Sequence, residues 1–334
     1  MRHFLAIEDF SFQEIEELIS IANELKKDRY AYSNSLKNKT LVSMFLNPST
    51  RTRISFDLAI TELGGHCITI EPGKGSWGIE IKEGTIMDKD AEEHLKDAVN
   101  VLSRYADFIA LRAFPAFQNW EEEKKDLILN NMAKWSKVPV INMETITHPC
   151  QALAMMQTIK SKFDNLKKKK FVLTWAYHPK PLNTAVANSA GVIASMSGMD
   201  VVVAHPEGYD LDPYFVDIMK KNCDVNGSSF EIVNDMDRAF EDADFVYAKS
   251  WGALNQYGNF QPEIHNRYRN WIVNLEKMKK TNNAYFSHCL PIRRNMIATD
   301  EVLDSPNSLI YDEAENRLHV QKAVLLKLDK EREL

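Results

Sequence analysis

"TLVSMFLNPSTRTRISFDLAITELGG", residues 40–65, decides the fold. It begins as a short apolar run of strand length and continues with helical spacing, with Ile54, Leu58 and Leu63 on the apolar face. Gly64-Gly65 stops the helix after about four turns. A helix start carries unpaired N–H groups and roughly half a positive charge. Arg51 and Arg53 therefore have the wrong sign there. Two readings remove the conflict. Either both arginines turn to solvent or to surface carboxylates, or an anion sits at the helix end and makes the repulsion an attraction. In the second reading the free N–H groups, a guanidinium and the hydroxyls of Ser49, Thr50 and Thr52 converge on one phosphate. Open α/β sheets bind ligands at such carboxyl ends of strands.

The same β-then-α rhythm runs outward in both directions. Before it, Ser11 and Glu14 form a capping box, Phe10 and Ile15 can staple the helix, and Ile15, Leu18, Ala22 and Leu25 give its buried face. After it, "CITIE" (67–71), "FIALR" (108–112) and "VPVIN" (138–142) read as buried strands, with helices over 92–106 and 120–136. A second series follows, "KFVLTWA" (170–176), "DVVVAH" (200–205), "FEIV" (230–233) and "DFVYAK" (244–249). The fold class is therefore α/β, with two doubly wound parallel-sheet domains. Domains are expected at 1–148 and 149–312, with a C-terminal helix at 313–334 packing back on the first. A helix near 149–163 is the expected hinge. "KKKK" (167–170) reads as a solvated turn.

Bulk properties narrow the function. A chain of 334 residues is long enough for two cores of about 150 residues each. Its net charge of −6 argues against a nucleic-acid partner. No apolar run near the start is long enough for a signal peptide or a membrane span, so no membrane is expected. The four cysteines (Cys67, Cys150, Cys223, Cys289) are far apart and read as reduced thiols of a cytoplasmic protein. The histidines lack ligand spacing, so no metal is expected. Neither G-x-G-x-x-G nor G-x-x-x-x-G-K-[ST] occurs, which removes the usual nucleotide sites.

"STRTR" (49–53), "HPCQ" (148–151) and "HCLP" (288–291), in that order, resemble the carbamoyltransferases of aspartate and ornithine type. The resemblance implies two α/β domains, no cofactor, and transfer of a carbamoyl group from carbamoyl phosphate to an amine. It also implies a homotrimer with sites shared between subunits. It assigns Ser49, Thr50, Arg51 and Thr52 to the phosphate, and Arg112 and His148 to the carbonyl oxygen. Gln151, with the backbone carbonyls of Cys289 and Leu290, takes the NH2 group. Pro149 and Cys150 complete the motif, and Arg317 in "AENRLH" is a further ligand candidate. Arg112, His148 and Gln151 are the catalytic set. By itself, a histidine before proline at a helix start can also be a cap. Cys289 needs no nucleophilic role, because the amine attacks directly. Trp77 lies in a long polar loop, 71–90, and by resemblance reaches a neighbouring subunit's site; packing within its own subunit is the alternative.

The acceptor is read from departures. Ornithine enzymes grip the α-ammonium with an aspartate after the strand matching "DFVYAK"; here the position is Lys249. A lysine repels an ammonium and attracts an α-carboxylate, which points to an ornithine whose α-nitrogen is acylated. "INMETITHPCQ" (141–151), "YHPKPLNTAVANS" (177–189) and "YAKSWGAL" (247–254) resemble the subgroup acting on N-acetyl-L-ornithine. There Glu144, Lys249 and Leu290 contact the acceptor. Glu92 stands where acetyl enzymes have glutamate and succinyl enzymes proline, and its charge would repel a succinyl tail. An acid at a helix start is also favoured for itself. Ile297 stands where acetyl enzymes can carry a modified lysine, and this stretch is closer to the succinyl type.

Overall fold

In the computed structural model, which describes residues 1–332, the chain divides into two compact units. The first comprises residues 1–116, 121–150 and the chain from Arg317 onward; the second comprises 117–120 and 151–316.

The first unit opens with α1 (Phe12–Lys27). Its capping box is formed: Ser11 Oγ accepts from the Glu14 N–H at 3.3 Å, and Glu14 accepts from the Ser11 N–H at 2.9 Å. Then come β1 (Thr40–Phe45), α2 (Thr50–Thr61) and β2 (His66–Ile70). A two-residue pair, β3 (Ile79–Glu80) and β4 (Glu93–His94), ties the ends of the polar loop. α3 (Leu95–Tyr105), β5 (Phe108–Arg112), α4 (Trp120–Glu123), α5 (Leu127–Trp135), β6 (Val140–Glu144) and α6 (Pro149–Lys160) follow. The sheet runs β2-β1-β5-β6, all parallel. The chain builds β2 on one side of β1 and β5 on the other, so the topological switch lies between β1 and β5. Phe45 and Arg112 are register partners at that switch. Met44, Ile109 and Leu111 of the sheet pack with Leu95, Val99, Leu129 and Met132 of α3 and α5. Full burial of such a side chain stabilises by about 1.5–3 kcal/mol.

The second unit contains β7 (Lys170–Trp175), α7 (Ala185–Met196), β8 (Asp200–Ala204), α8 (Pro213–Asn226), β9 (Phe230–Val233), α9 (Met236–Phe240), β10 (Phe245–Lys249) and β11 (Tyr285–Ser287). Its parallel order is β11-β10-β7-β8-β9, which places a second switch between β7 and β10. There Trp175 pairs with Lys249. A long helix, Ile310–Arg332, closes the described chain.

Four local expectations need correction. The buried face of α2 is Thr52, Phe56, Ala59 and Ile60, followed by Leu63, whereas Ile54 and Leu58 are exposed. The set 52-56-59-60-63 keeps helical spacing, but its first member is a polar threonine that a hydrophobicity reading passes over. "CITIE" is an edge strand, with Ile68 half exposed, because β2 has a neighbour only on the β1 side. The helix over 120–136 is two helices, broken where Asp126 takes φ +45°. The Asp126 carboxylate reaches across to the Thr145 hydroxyl, which fixes the break. Glu92 lies outside α3, whose N-cap is His94, so the helix-start reading of that acid falls.

Candidate active site

Apart from Trp77 and Glu92, the residues singled out in the first unit gather at its switch point. Ser49 caps α2, its Oγ accepting from the Thr52 N–H at 3.2 Å. Arg317, from the far end of the chain, donates from Nη2 to Thr52 Oγ1 at 3.0 Å, and both side chains are buried. The two arginines of the opening stretch part company. Arg53 pairs with Glu71 and lies over the Phe45 ring at 4.9 Å, so for it the carboxylate reading holds. Arg51 makes no ion pair with any described residue. The helix end therefore faces Arg51 and Arg317, an arrangement that a dianion would relieve.

Arg112 ends β5 beside that helix start, and its guanidinium stacks on Phe114 at 4.4 Å. The Phe114 N–H donates to Asn47 Oδ1 at 2.6 Å, which ties the loop after β5 to the loop after β1. Glu144, at the end of β6, accepts from Arg112 Nη1 and lies 3.3 Å from His148 Nε2. Arg112, Glu144 and His148 are thus one buried cluster, which brings Glu144 to the two residues expected at the carbonyl oxygen. Arg112 Nε is buried without a hydrogen-bond partner, and an unmade bond there costs about 1–3 kcal/mol until a ligand supplies an acceptor. Cys150 is fully buried, which pushes its thiol up to about 12 and leaves it inert. Thr50 and Pro149 hold the flanking helix starts.

In the second unit Lys249 ends β10 at the other switch point. Its side chain is only 8% exposed, and it has no ion-pair or hydrogen-bond partner among the described residues. Two residues that sequence reasoning missed stand near it. Arg293 donates from Nε to His178 Nε2 at 3.0 Å. The His178 pKa is lowered, first by burial and then by the charges of Arg293 and Lys249. His178 thus accepts as a neutral ring, and the two cations are left for an anion. The signal was present in the quoted "YHPKPLN" and "HCLPIRRN", each just past a strand of the sheet, but neither residue type is diagnostic alone.

Gln151 begins the second unit's share of α6, and its Nε2 donates to Glu313 at 2.5 Å. Cys289 and Leu290 follow β11, and Leu290 has φ +52°, a left-handed conformation in which a branched side chain is strained. The Leu290 N–H donates to His288 Nδ1 at 2.9 Å, which holds that turn. Ile297 is 2% exposed. Trp77 and Glu92 are exposed on the polar loop, with Trp77 at 67%, so Trp77 does not pack into its own chain. Among the described residues no group of three histidines, cysteines or acids could hold a metal ion.

Residues 2–161 match the carbamoyl-P binding domain of aspartate/ornithine carbamoyltransferase, and residues 173–328 match its Asp/Orn binding domain. The chain belongs to the aspartate/ornithine carbamoyltransferase family. Among its carbamoyltransferase relatives, the N-acetylornithine carbamoyltransferase of Xanthomonas campestris pv. campestris is 50% identical over 333 residues, covering 98% of each chain. The N-succinylornithine carbamoyltransferase of Bacteroides fragilis is 40% identical over 328 residues, again covering 98% of each. A crystal structure of acetylornithine transcarbamylase complexed with acetylcitrulline superposes with TM-score 0.96 at 50% identity, covering 98% of this carbamoyltransferase chain and 99% of that one.

Proposed function

We propose that this carbamoyltransferase moves the carbamoyl group of carbamoyl phosphate to the δ-amine of N-acetyl-L-ornithine, giving N-acetyl-L-citrulline and phosphate. The observation that carries the choice of acceptor is Lys249, mostly buried and without an anionic partner among the described residues. Lys249, with Arg293 nearby, suits an α-carboxylate and rejects a free α-ammonium. The identity of 50% to an acetyl enzyme against 40% to a succinyl enzyme supports the same acceptor.

The chemistry follows from residue types. The α2 N–H groups, Ser49, Thr50, Thr52, Arg51 and Arg317 hold the phosphate dianion. Arg112 and His148 donate to the carbonyl oxygen, where negative charge grows as the neutral amine adds to the carbon. Gln151 and the backbone carbonyls of Cys289 and Leu290 accept from the NH2 group and fix its orientation. As the intermediate collapses, the C–O bond to phosphate breaks, its electron pair leaves with phosphate, and the proton lost by the amine ends on the departing phosphate. The contacts of Glu144 with Arg112 and His148 support a role for it in orienting the arriving δ-amine.

Trp77 belongs to a neighbouring subunit's site in a homotrimer. Its exposure, with that of Ile54, Leu58, Ile68 and Ile86 in the first unit, supports burial in such an assembly. The reaction places the enzyme in arginine biosynthesis, and four free cysteines accord with the cytoplasm.

N-succinyl-L-ornithine is the second reading, favoured by Ile297, a buried apolar side chain where acetyl enzymes can carry a modified lysine. Steady-state carbamoylation with ornithine, N-acetylornithine and N-succinylornithine in parallel separates them. The acetyl compound should lead in kcat/KM by at least about tenfold. A succinyl preference would keep Lys249 and overturn Glu92, whereas turnover of free ornithine alone would overturn the acceptor assignment.

A further inference from the structure

Glu313 is fully buried in the first turn of the C-terminal helix, in the part of that helix that belongs to the second unit. Three donors converge on it. Gln151 Nε2 and the Tyr247 hydroxyl reach Oε1 at 2.5 and 2.8 Å, and the Ser287 hydroxyl reaches Oε2. Tyr247 and Ser287 are register partners on β10 and β11, so the sheet presents both hydroxyls side by side. Gln151, Tyr247 and Ser287 are all buried at 2% exposure or less. Burying a carboxyl group is costly unless its oxygens are hydrogen-bonded, and here the strands and α6 supply the bonds.

A glutamine amide can present either end to a neighbour, and the two ends have opposite hydrogen-bonding roles. An ionised carboxylate only accepts, so it holds the amide nitrogen against itself. The Gln151 carbonyl must then point away from Glu313. We propose that Glu313 is a positioning residue: it locks the Gln151 amide so that Oε1 is offered to the NH2 group of carbamoyl phosphate. The inference rests on the assignment of Gln151 to that NH2 group. With Glu313 neutral, Gln151 is free to turn its own NH2 outward, donor would face donor, and the site would no longer distinguish NH2 from CH3.

Acetyl phosphate is the probe, since it keeps the phosphate and carbonyl of carbamoyl phosphate and replaces NH2 by CH3. Dissociation constants for both compounds are measured by calorimetry on the full-length enzyme, the Glu313→Gln variant and the Gln151→Leu variant. Glu313→Gln should cut the preference for carbamoyl over acetyl phosphate about tenfold, the worth of one hydrogen bond, and change acetyl phosphate binding less than about twofold. A purely structural role would weaken both compounds together and leave the ratio alone, which overturns the inference. Gln151→Leu tells the two assignments apart. If it loses the preference while Glu313→Gln keeps it, Glu313 does not orient Gln151. If Gln151→Leu keeps the preference, the assignment of Gln151 itself fails. Should Glu313→Gln not fold, Glu313→Asp, which withdraws the carboxylate by one methylene, is read in the same way.

Discussion

At the scale of single residues, the proposed phosphate site follows from what each arginine touches. Arg53 is neutralised by Glu71, while Arg317 reaches the Thr52 hydroxyl at 3.0 Å from the opposite end of the chain. Removing a charged hydrogen bond costs about 1.5–3 kcal/mol, or roughly tenfold to a hundredfold. Arg317→Ala should raise KM for carbamoyl phosphate by that factor, with a smaller effect on KM for the acceptor. Arg53→Ala should alter neither by more than about twofold, because its guanidinium is turned to Glu71 and takes no part in holding the phosphate. Equal effects of the two substitutions in steady-state kinetics would contradict the division of labour. Arg51 and Arg53 read alike in "STRTR", and only the fold shows that Arg53 is the one paired with a carboxylate. Likewise Lys249 was legible as a departure from an expected acid, whereas His178, Arg293 and Glu313 were not. Their roles depend on neighbours distant in sequence, and a lone histidine, arginine or glutamate carries no such signal.

At the scale of elements, strands and helices were read well where an apolar run was buried on both faces, as in β1, β5, β7 and β8. Errors fell where polar chemistry overrides periodicity. Asp126 interrupts a long helical pattern by turning its carboxylate to the Thr145 hydroxyl and to the Ile146 N–H. Asn142 Nδ2 donates to the hydroxyls of Thr145 and Thr147, each at 3.0 Å, so the turn between Glu144 and His148 is pinned from two sides. Burial raises the Asp126 carboxyl to about 6, above its ordinary 3.8. An acid with a raised folded value favours the fold below the unfolded value, and that benefit is lost as pH rises towards 6. Glu8 acts in the same sense, since burial lifts it from 4.5 to about 7. Glu14 acts oppositely, held down to about 2 by Arg2, so its contribution is lost as pH falls from 4.5 towards 2. Asp126→Asn removes one titrating group. The Tm of this variant relative to the parent should therefore rise between pH 4 and pH 7. A difference independent of pH would show that Asp126 does not titrate in that window.

At the scale of the whole molecule, two parallel sheets in series were legible because the β-then-α rhythm repeats and no glycine-rich nucleotide motif interrupts it. Assembly was not, since an exposed tryptophan on a polar loop is the same in sequence whether it meets solvent or another chain. Trp77 at 67% exposure belongs at a neighbour's site in this account. Trp77→Ala should raise KM for carbamoyl phosphate. Mixing dissociated Trp77→Ala and Arg112→Ala chains should restore activity, because some reassembled sites then draw both intact residues from different chains. No recovery on mixing would mean that each chain completes its own site.

The most direct test of the central claim is the ratio of kcat/KM for N-acetyl-L-ornithine to that for L-ornithine, in the parent enzyme and in Lys249→Asp. If the Lys249 ammonium reads an α-carboxylate and excludes an α-ammonium, the ratio is large in the parent. It should fall by roughly a hundredfold when the charge is reversed, most of it through loss of the acetyl substrate. An unchanged ratio would contradict the claim, and the acceptor would have to be chosen by other residues.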